Sequence, residues 1–226
     1  MRKLIKGIVQ FRKTVRPEYK KTFAKLALGQ TPDTLFIACS DSRVVPNLFA
    51  SADPGDLFVI RNLGNLIPSY HRETESFGSA EAAAIEFSLS TLKVTEIIVC
   101  GHSECGAMHA VEHGVDLSHS HGLRGWLQHA AKRSSDKSAR LAPTPQLSAV
   151  NRLSQLNVLE QMDHLLTYPE IKAKAEAGTL RIHGWWFDIA EAEVHSYDPD
   201  EKQFHVIDEA GAEAVLARLG DQGLVG

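Results

Sequence analysis

Four short apolar runs, each closed by polar or turn residues and alternating with helix-patterned sequence, predict an α/β domain built on a parallel sheet. The runs are Leu35-Phe36-Ile37-Ala38, Leu57-Phe58-Val59-Ile60, Ile97-Ile98-Val99-Cys100 and residues 180–187. A length of 226 residues suits one such domain, and neither repeats nor a linker interrupt the order, so residues 1–226 are read as a single unit.

The chain opens with an arm, residues 1–28. Its apolar positions Leu4, Ile5, Ile8, Val9 and Phe11, then Phe23, Leu26 and Leu28, are roughly helical in spacing, and Pro17 opens a second helix. The arm is strongly basic, with Glu18 its one acid, which reads either as a solvated face or as a surface packing on an acidic partner. Its apolar stripe still needs something to cover. Strand one follows and delivers Cys39-Ser40-Asp41-Ser42-Arg43 at its carboxyl end, where open α/β sheets keep their chemistry. Pro54-Gly55-Asp56 turns the chain into strand two, which ends in Arg61-Asn62. Residues 76–92, with Ala80, Ala83, Ala84, Phe87 and Leu89, read as a helix of small residues that can pack closely on a sheet. Strand three ends in Gly101-His102-Ser103-Glu104-Cys105-Gly106, and a helix begins at Ala107.

Residues 114–148 carry little periodicity. His113, His119, His121 and His129 lie there among Ser and Gly without the spacing of a metal site, so exposed loop and helix surface is expected. A helix over 150–168 and a short one over 171–177 precede strand four, and Glu193–Tyr197 with Gln203–Ile207 suggests a closing antiparallel hairpin. The expected fold is thus a Rossmann-like domain: a central parallel four-stranded sheet, an added antiparallel edge strand, flanking helices and the N-terminal arm.

Composition bounds the function. A hydrophobic content of 43%, a charged content of 23% and a net charge of −4 fit a globular protein with a small partner rather than bulk nucleic acid. Three irregularly spaced cysteines make no disulfide framework and suit a reducing compartment, with metal or catalytic use. Arg12, Lys13 and Arg16 leave no room for a signal-peptide core, and no run of about 18 apolar residues would span a membrane. A cytoplasmic location is expected.

If strands one and three are neighbours, Cys39 meets His102 and Cys105 at one sheet edge, which is a Cys₂His zinc set with an open fourth position. Asp41 decides whether that position stays open: paired with Arg43 it leaves room for water, and unpaired it can itself ligate and shut the site. Two thiolates donate more charge than three imidazoles, so a less acidic water and better activity on the alkaline side are expected. Cys100, inside its strand, reads as core. His109 and His113, one helical turn apart, read as surface, with proton transfer the use that a surface imidazole there offers. Trp185 and Trp186 alternate faces and read as packing or interface residues.

Cys39-Ser40-Asp41-Ser42-Arg43 together with Gly101-His102-Ser103-Glu104-Cys105-Gly106 closely resembles the β-class carbonic anhydrases, and the similarity extends to Arg61-Asn62 and His183-Gly184-Trp185. The resemblance implies Zn²⁺ on Cys39, His102 and Cys105, an Asp41–Arg43 dyad that keeps Asp41 off the metal, and reversible hydration of carbon dioxide to bicarbonate by zinc-bound hydroxide. It also implies a substrate groove of Gln30, Phe58, Leu63 and Phe87, and a homodimer or dimer of dimers whose arms embrace the partner and whose groove is shared across the interface. Bicarbonate-inhibited members carry Trp and Tyr where this chain has Phe36 and Phe187, so that inhibition is not expected although Arg61 is present. Two other readings stand beside this one: a carbon disulfide or carbonyl sulfide hydrolase on the same fold, and a non-catalytic zinc-stabilised scaffold with Asp41 permanently on the metal.

Overall fold

The computed structural model describes residues 1–70, 79–114, 119–131 and 139–220. Two helices, α1 (Arg2–Thr14) and α2 (Arg16–Leu26), form the arm. Proline at the start of α2 has no N–H to waste in a first turn, which is why the break falls there. Neither helix buries a residue, and Leu4, Ile5, Ile8 and Val9 stand open to solvent along α1.

The body is one six-stranded sheet. Its strands are β1 (Thr34–Cys39), β2 (Leu57–Asn62), β3 (Glu96–His102), β4 (Arg181–Asp188), β5 (Glu193–Asp198) and β6 (Gln203–Val206). They lie in the order β2-β1-β3-β4-β5-β6, the first four parallel and the last two antiparallel. The hairpin therefore joins through both of its strands, so two antiparallel strands extend the sheet where a single edge strand was expected. Every residue of β1 is buried and β3 is nearly so, as continuous Val/Ile/Leu runs require when a sheet is covered on both faces.

Period-2 alternation sorts the side chains. Leu35, Ile37, Ile97 and Val99 face a core completed by α4 (Ala80–Phe87), α7 (Ala149–Leu166) and α8 (Pro169–Glu176). Phe36, Ala38, Ile98 and Cys100 face the other way with Phe49, from the short helix α3 (Pro46–Phe49), and Phe187. Phe49 stacks on Phe187 at 4.8 Å between ring centroids, an arrangement worth about 0.5–1.5 kcal/mol beyond its buried area. A third cluster lies at the carboxyl edge, where Cys39 and Cys105 pack with Met108 of α5 (Gly106–His113) and Leu153, Leu156 and Leu159 of α7.

Two local details differ from the sequence reading. The helix expected over 76–92 starts at Ala80, capped by the Ser79 hydroxyl, and its last turn, Ser88–Leu92, is a π turn; residues 76–78 lie outside the described residues. Two helices lie outside the elements read from the sequence: the short, glycine-containing α6 (His121–Leu127), and α9 (Glu209–Leu219), whose Ala212, Val215, Leu216 and Leu219 repeat at helical spacing. Gly101 is what lets α7 lie close on β3: a Cβ there would stand 2.7 Å from Val158 Cγ2. Among the described residues no helix is long and apolar enough to cross a membrane.

Candidate metal centre

Strand register builds the site. In the β1–β3 pairing Ala38 lies opposite Cys100, so Cys39 ends its strand level with Gly101 and beside His102. The chain then turns through Glu104, whose backbone takes a left-handed conformation at φ 52°, and Cys105 returns at the start of α5. One donor atom each from Cys39, His102 and Cys105 lies within 4.8 Å of the other two, and all three side chains are buried.

His102 is prepared as a ligand. Its Nδ1 lies 2.9 Å from the Ser103 carbonyl, which can only accept, so Nδ1 carries the proton and Nε2 keeps its lone pair. That Nε2 is buried and has no hydrogen-bond partner in the protein. The strand end holding it is fixed from α7: Ser154 Oγ–H donates to the His102 carbonyl at 2.8 Å, and the Trp186 indole N–H donates to Ser154 Oγ at 3.2 Å.

The two sulfurs behave as a pair. The Cys39 thiol is held well below its ordinary range, chiefly by the neighbouring Cys105 thiol, with the Gly64 backbone N–H adding to it. The Cys105 thiol is pushed up by the same contact, because a second negative charge beside the first is penalised. A cation between the two sulfurs would remove that penalty and favour two thiolates. Zinc with bonds of ~2.3 Å to sulfur and ~2.0–2.1 Å to nitrogen needs donors roughly 3.5–3.8 Å apart, inside the observed limit. The orphaned nitrogen, the donor chemistry and the spacing all fit Zn²⁺.

Asp41 belongs to Arg43. The guanidinium grips both carboxylate oxygens, Nε to Oδ1 at 2.9 Å and Nη2 to Oδ2 at 2.8 Å, and the Arg43 backbone N–H adds a bond to Oδ1 at 3.0 Å. These bonds hold the carboxyl well below the usual carboxylate range. Arg43 also reaches the Glu104 carbonyl at 3.2 Å, and Arg61 bridges the Cys39 and Asp41 carbonyls at 2.7 and 2.9 Å. The loop after β1 is thereby tied to the loop after β3. The role of Arg61 as a brace was not visible in the sequence, since it acts on carbonyls that every residue has.

The remaining expected site residues divide. Leu63 sits at the site, in the turn whose Gly64 N–H meets Cys39 Sγ at 3.3 Å, and it is 39% exposed. Phe58 does not reach this chain's centre: it pairs with Leu35, four residues and roughly 13 Å down the strand from the level of Cys39. Phe87 packs against Phe58 at 5.8 Å between centroids, and Gln30 lies exposed at the root of the arm. Cys100 is fully buried and its thiol pushed up by burial, as a core residue's should be. His109 pairs with Glu104 at 2.9 Å near the mouth, and its ring lies 5.8 Å from that of His113.

Comparison with known proteins agrees with this geometry. Residues 34–194 match the family model described as carbonic anhydrase. The carbonic anhydrase of Pseudomonas aeruginosa is 37% identical over 204 residues, 90% of either chain. Among solved structures, the β-carbonic anhydrase CcaA aligns at 37% identity with a TM-score of 0.79 over 92% of either chain. One from a study of two tetrameric β-carbonic anhydrases of Sordaria macrospora aligns at 29% identity with a TM-score of 0.68, covering 86% of this chain and 95% of its own. With the family model matched over residues 34–194 and these relatives matched over most of the chain, the chain belongs to the β-class carbonic anhydrases.

Proposed function

We propose that the chain is a zinc lyase that reversibly hydrates carbon dioxide to bicarbonate and a proton, with Cys39, His102 and Cys105 as the ligands. The observation that carries this is a buried three-donor cluster next to a carboxylate whose two oxygens are already taken by arginine. Zinc held there supplies a Lewis acid that makes water a nucleophile near neutral pH. The protein does the rest. Arg43 keeps Asp41 turned from the donor cluster, so that it would not compete for a metal held by Cys39, His102 and Cys105, and the lone pair left on Asp41 Oδ2 could accept a hydrogen bond from a water there and orient it. Leu63 gives the mouth an apolar wall suited to a substrate with no net dipole.

The functional unit in this reading is a homodimer or a dimer of dimers of one domain spanning 1–226, each arm wrapping its partner. Two observations support it: the uncovered apolar stripe of α1, and the position of Phe58 and Phe87 away from their own chain's Cys39. We assign Gln30, Phe58 and Phe87 to the groove across the interface. Three buried free cysteines, two of them side by side without a disulfide, support a reducing, cytoplasmic setting. Cys39→Ser and His102→Ala test the assignment: each should abolish hydration and drop bound zinc from about one per chain to a trace. Full activity in either variant would contradict it.

A further inference from the structure

Helix α7 is buried on several sides, yet it carries a line of polar side chains that its packing does not require. Asn157, Gln161 and His164, at i, i+4 and i+7, all bond to one segment, residues 64–67, and the two amides tie it to the segment after α6, Gln161 Nε2–H donating to the His129 carbonyl at 2.9 Å and Asn157 Oδ1 accepting from the Ala131 N–H at 3.1 Å. The Asn157 amide Nδ2–H donates to the Gly64 carbonyl at 3.0 Å. Gln161 Oε1 accepts from the Ile67 N–H at 2.7 Å, and His164 Nδ1–H donates to the Ile67 carbonyl at 2.6 Å. The two amides also fix each other, Gln161 Nε2–H donating to Asn157 Oδ1 at 3.1 Å. From the other side, the indole N–H of Trp126, on α6, donates to the Leu63 carbonyl at 2.8 Å.

Asn157 and Gln161 are 1% and 0% exposed. A buried amide is costly unless every bond is made, and an apolar residue would fill the same space without that risk. What the clamp holds in place is Gly64. It sits at φ +79°, and a Cβ on it would stand 2.9 Å from the Ala107 Cβ, so the turn is seated firmly on the start of α5. Its N–H is aimed at Cys39 Sγ, 3.3 Å away. A hydrogen bond to a ligating thiolate draws charge off the sulfur, which then gives less to the metal.

We infer that Asn157 and Gln161, with Trp126 on the opposite side, are positioning residues that hold the Gly64 N–H on the Cys39 sulfur and so set how much charge this thiolate donates to the metal. The inference rests on the zinc reading above. None of the three need touch substrate.

Cobalt(II) in place of zinc reports the sulfur directly, through the sulfur-to-cobalt charge-transfer band. In Asn157→Leu the band should move to longer wavelength, and zinc, held by a sulfur that now gives it more charge, should pass to a chelator roughly 10-fold more slowly than from wild type. Trp126→Phe, at the half-exposed rim, should shift both readings the same way by less, and it decides the matter if Asn157→Leu does not fold. Ile171→Val, a cut in the core of α8 outside this network, serves as the destabilised control and should leave both readings unmoved. Wild-type values in the folded variants, or equal shifts in Ile171→Val, would overturn the inference while the zinc reading stands. A wild-type chain that takes up neither metal would overturn the zinc reading and the inference with it.

Discussion

Asp41 and Arg43 lie two residues apart, and their side chains are 17% and 48% exposed. A pair so open to water adds little to stability, so its value lies in where it holds the carboxylate. The Arg43 guanidinium depresses the Asp41 carboxyl below its ordinary value near 4. Such a group contributes stability that is fully present above the unfolded value and is lost only as pH falls through the lowered one. The dyad therefore stays ionised throughout the neutral and mildly acid range, and loss of hydration between about pH 7 and pH 5 is not its protonation. Removing the clamp is different. In Arg43→Met the freed carboxylate can close on the metal, so turnover at pH 7 should fall roughly 10²-fold with zinc retained. Part of the loss should return at alkaline pH, where hydroxide competes better. Stopped-flow hydration across pH with metal analysis checks this, and unchanged turnover at pH 7 would contradict the dyad's role.

At the scale of elements, the parallel β1–β3 register does most of the work, because it brings Cys39 level with the end of the strand that carries His102. The same strands argue against regulation by bicarbonate. Phe36 and Phe187 are buried together in an apolar cluster with Phe49, and Arg61 spends its Nε and Nη2 donors on the Cys39 and Asp41 carbonyls. Neither phenylalanine offers a polar atom for an anion. Activity should stay within about twofold as bicarbonate rises at constant ionic strength and pH, against the steep loss an anion site linked to the Asp41 loop would give. The strands and ligands were legible because buried strands read as apolar runs, and thiols or imidazoles at their ends stand out. The hidden parts act through backbone or ordinary amides. Gly64 contributes only an N–H, and Asn157 and Gln161 look like any polar positions on a helix until their spacing is set against the segment they hold. In α6 Gly122 and Gly125 break the pattern, whereas α9 does carry Ala212, Val215, Leu216 and Leu219 at helical spacing, a stripe that stays only half-buried.

In the whole molecule, the most conspicuous unpaired feature is the arm. Leu4 and Ile8 are 66% and 67% exposed on a helix that buries nothing. A second copy is the natural cover, and burying such side chains is worth about 1.5–3 kcal/mol each. Ile8→Glu should weaken dimerisation at least roughly 30-fold, a loss of ~2 kcal/mol, read by light scattering over a dilution series. An unchanged dissociation constant would place the subunit contact elsewhere. The central claim, that this fold exists to hold a zinc ion open to water, is tested most directly by following carbon dioxide hydration as the metal is removed and restored. The account predicts about one zinc per purified chain, hydration that disappears in step with zinc as a chelator withdraws it, and recovery when zinc is returned. A metal-free chain that hydrates carbon dioxide as fast as the loaded one, or a fully loaded chain inactive at every pH, would contradict it.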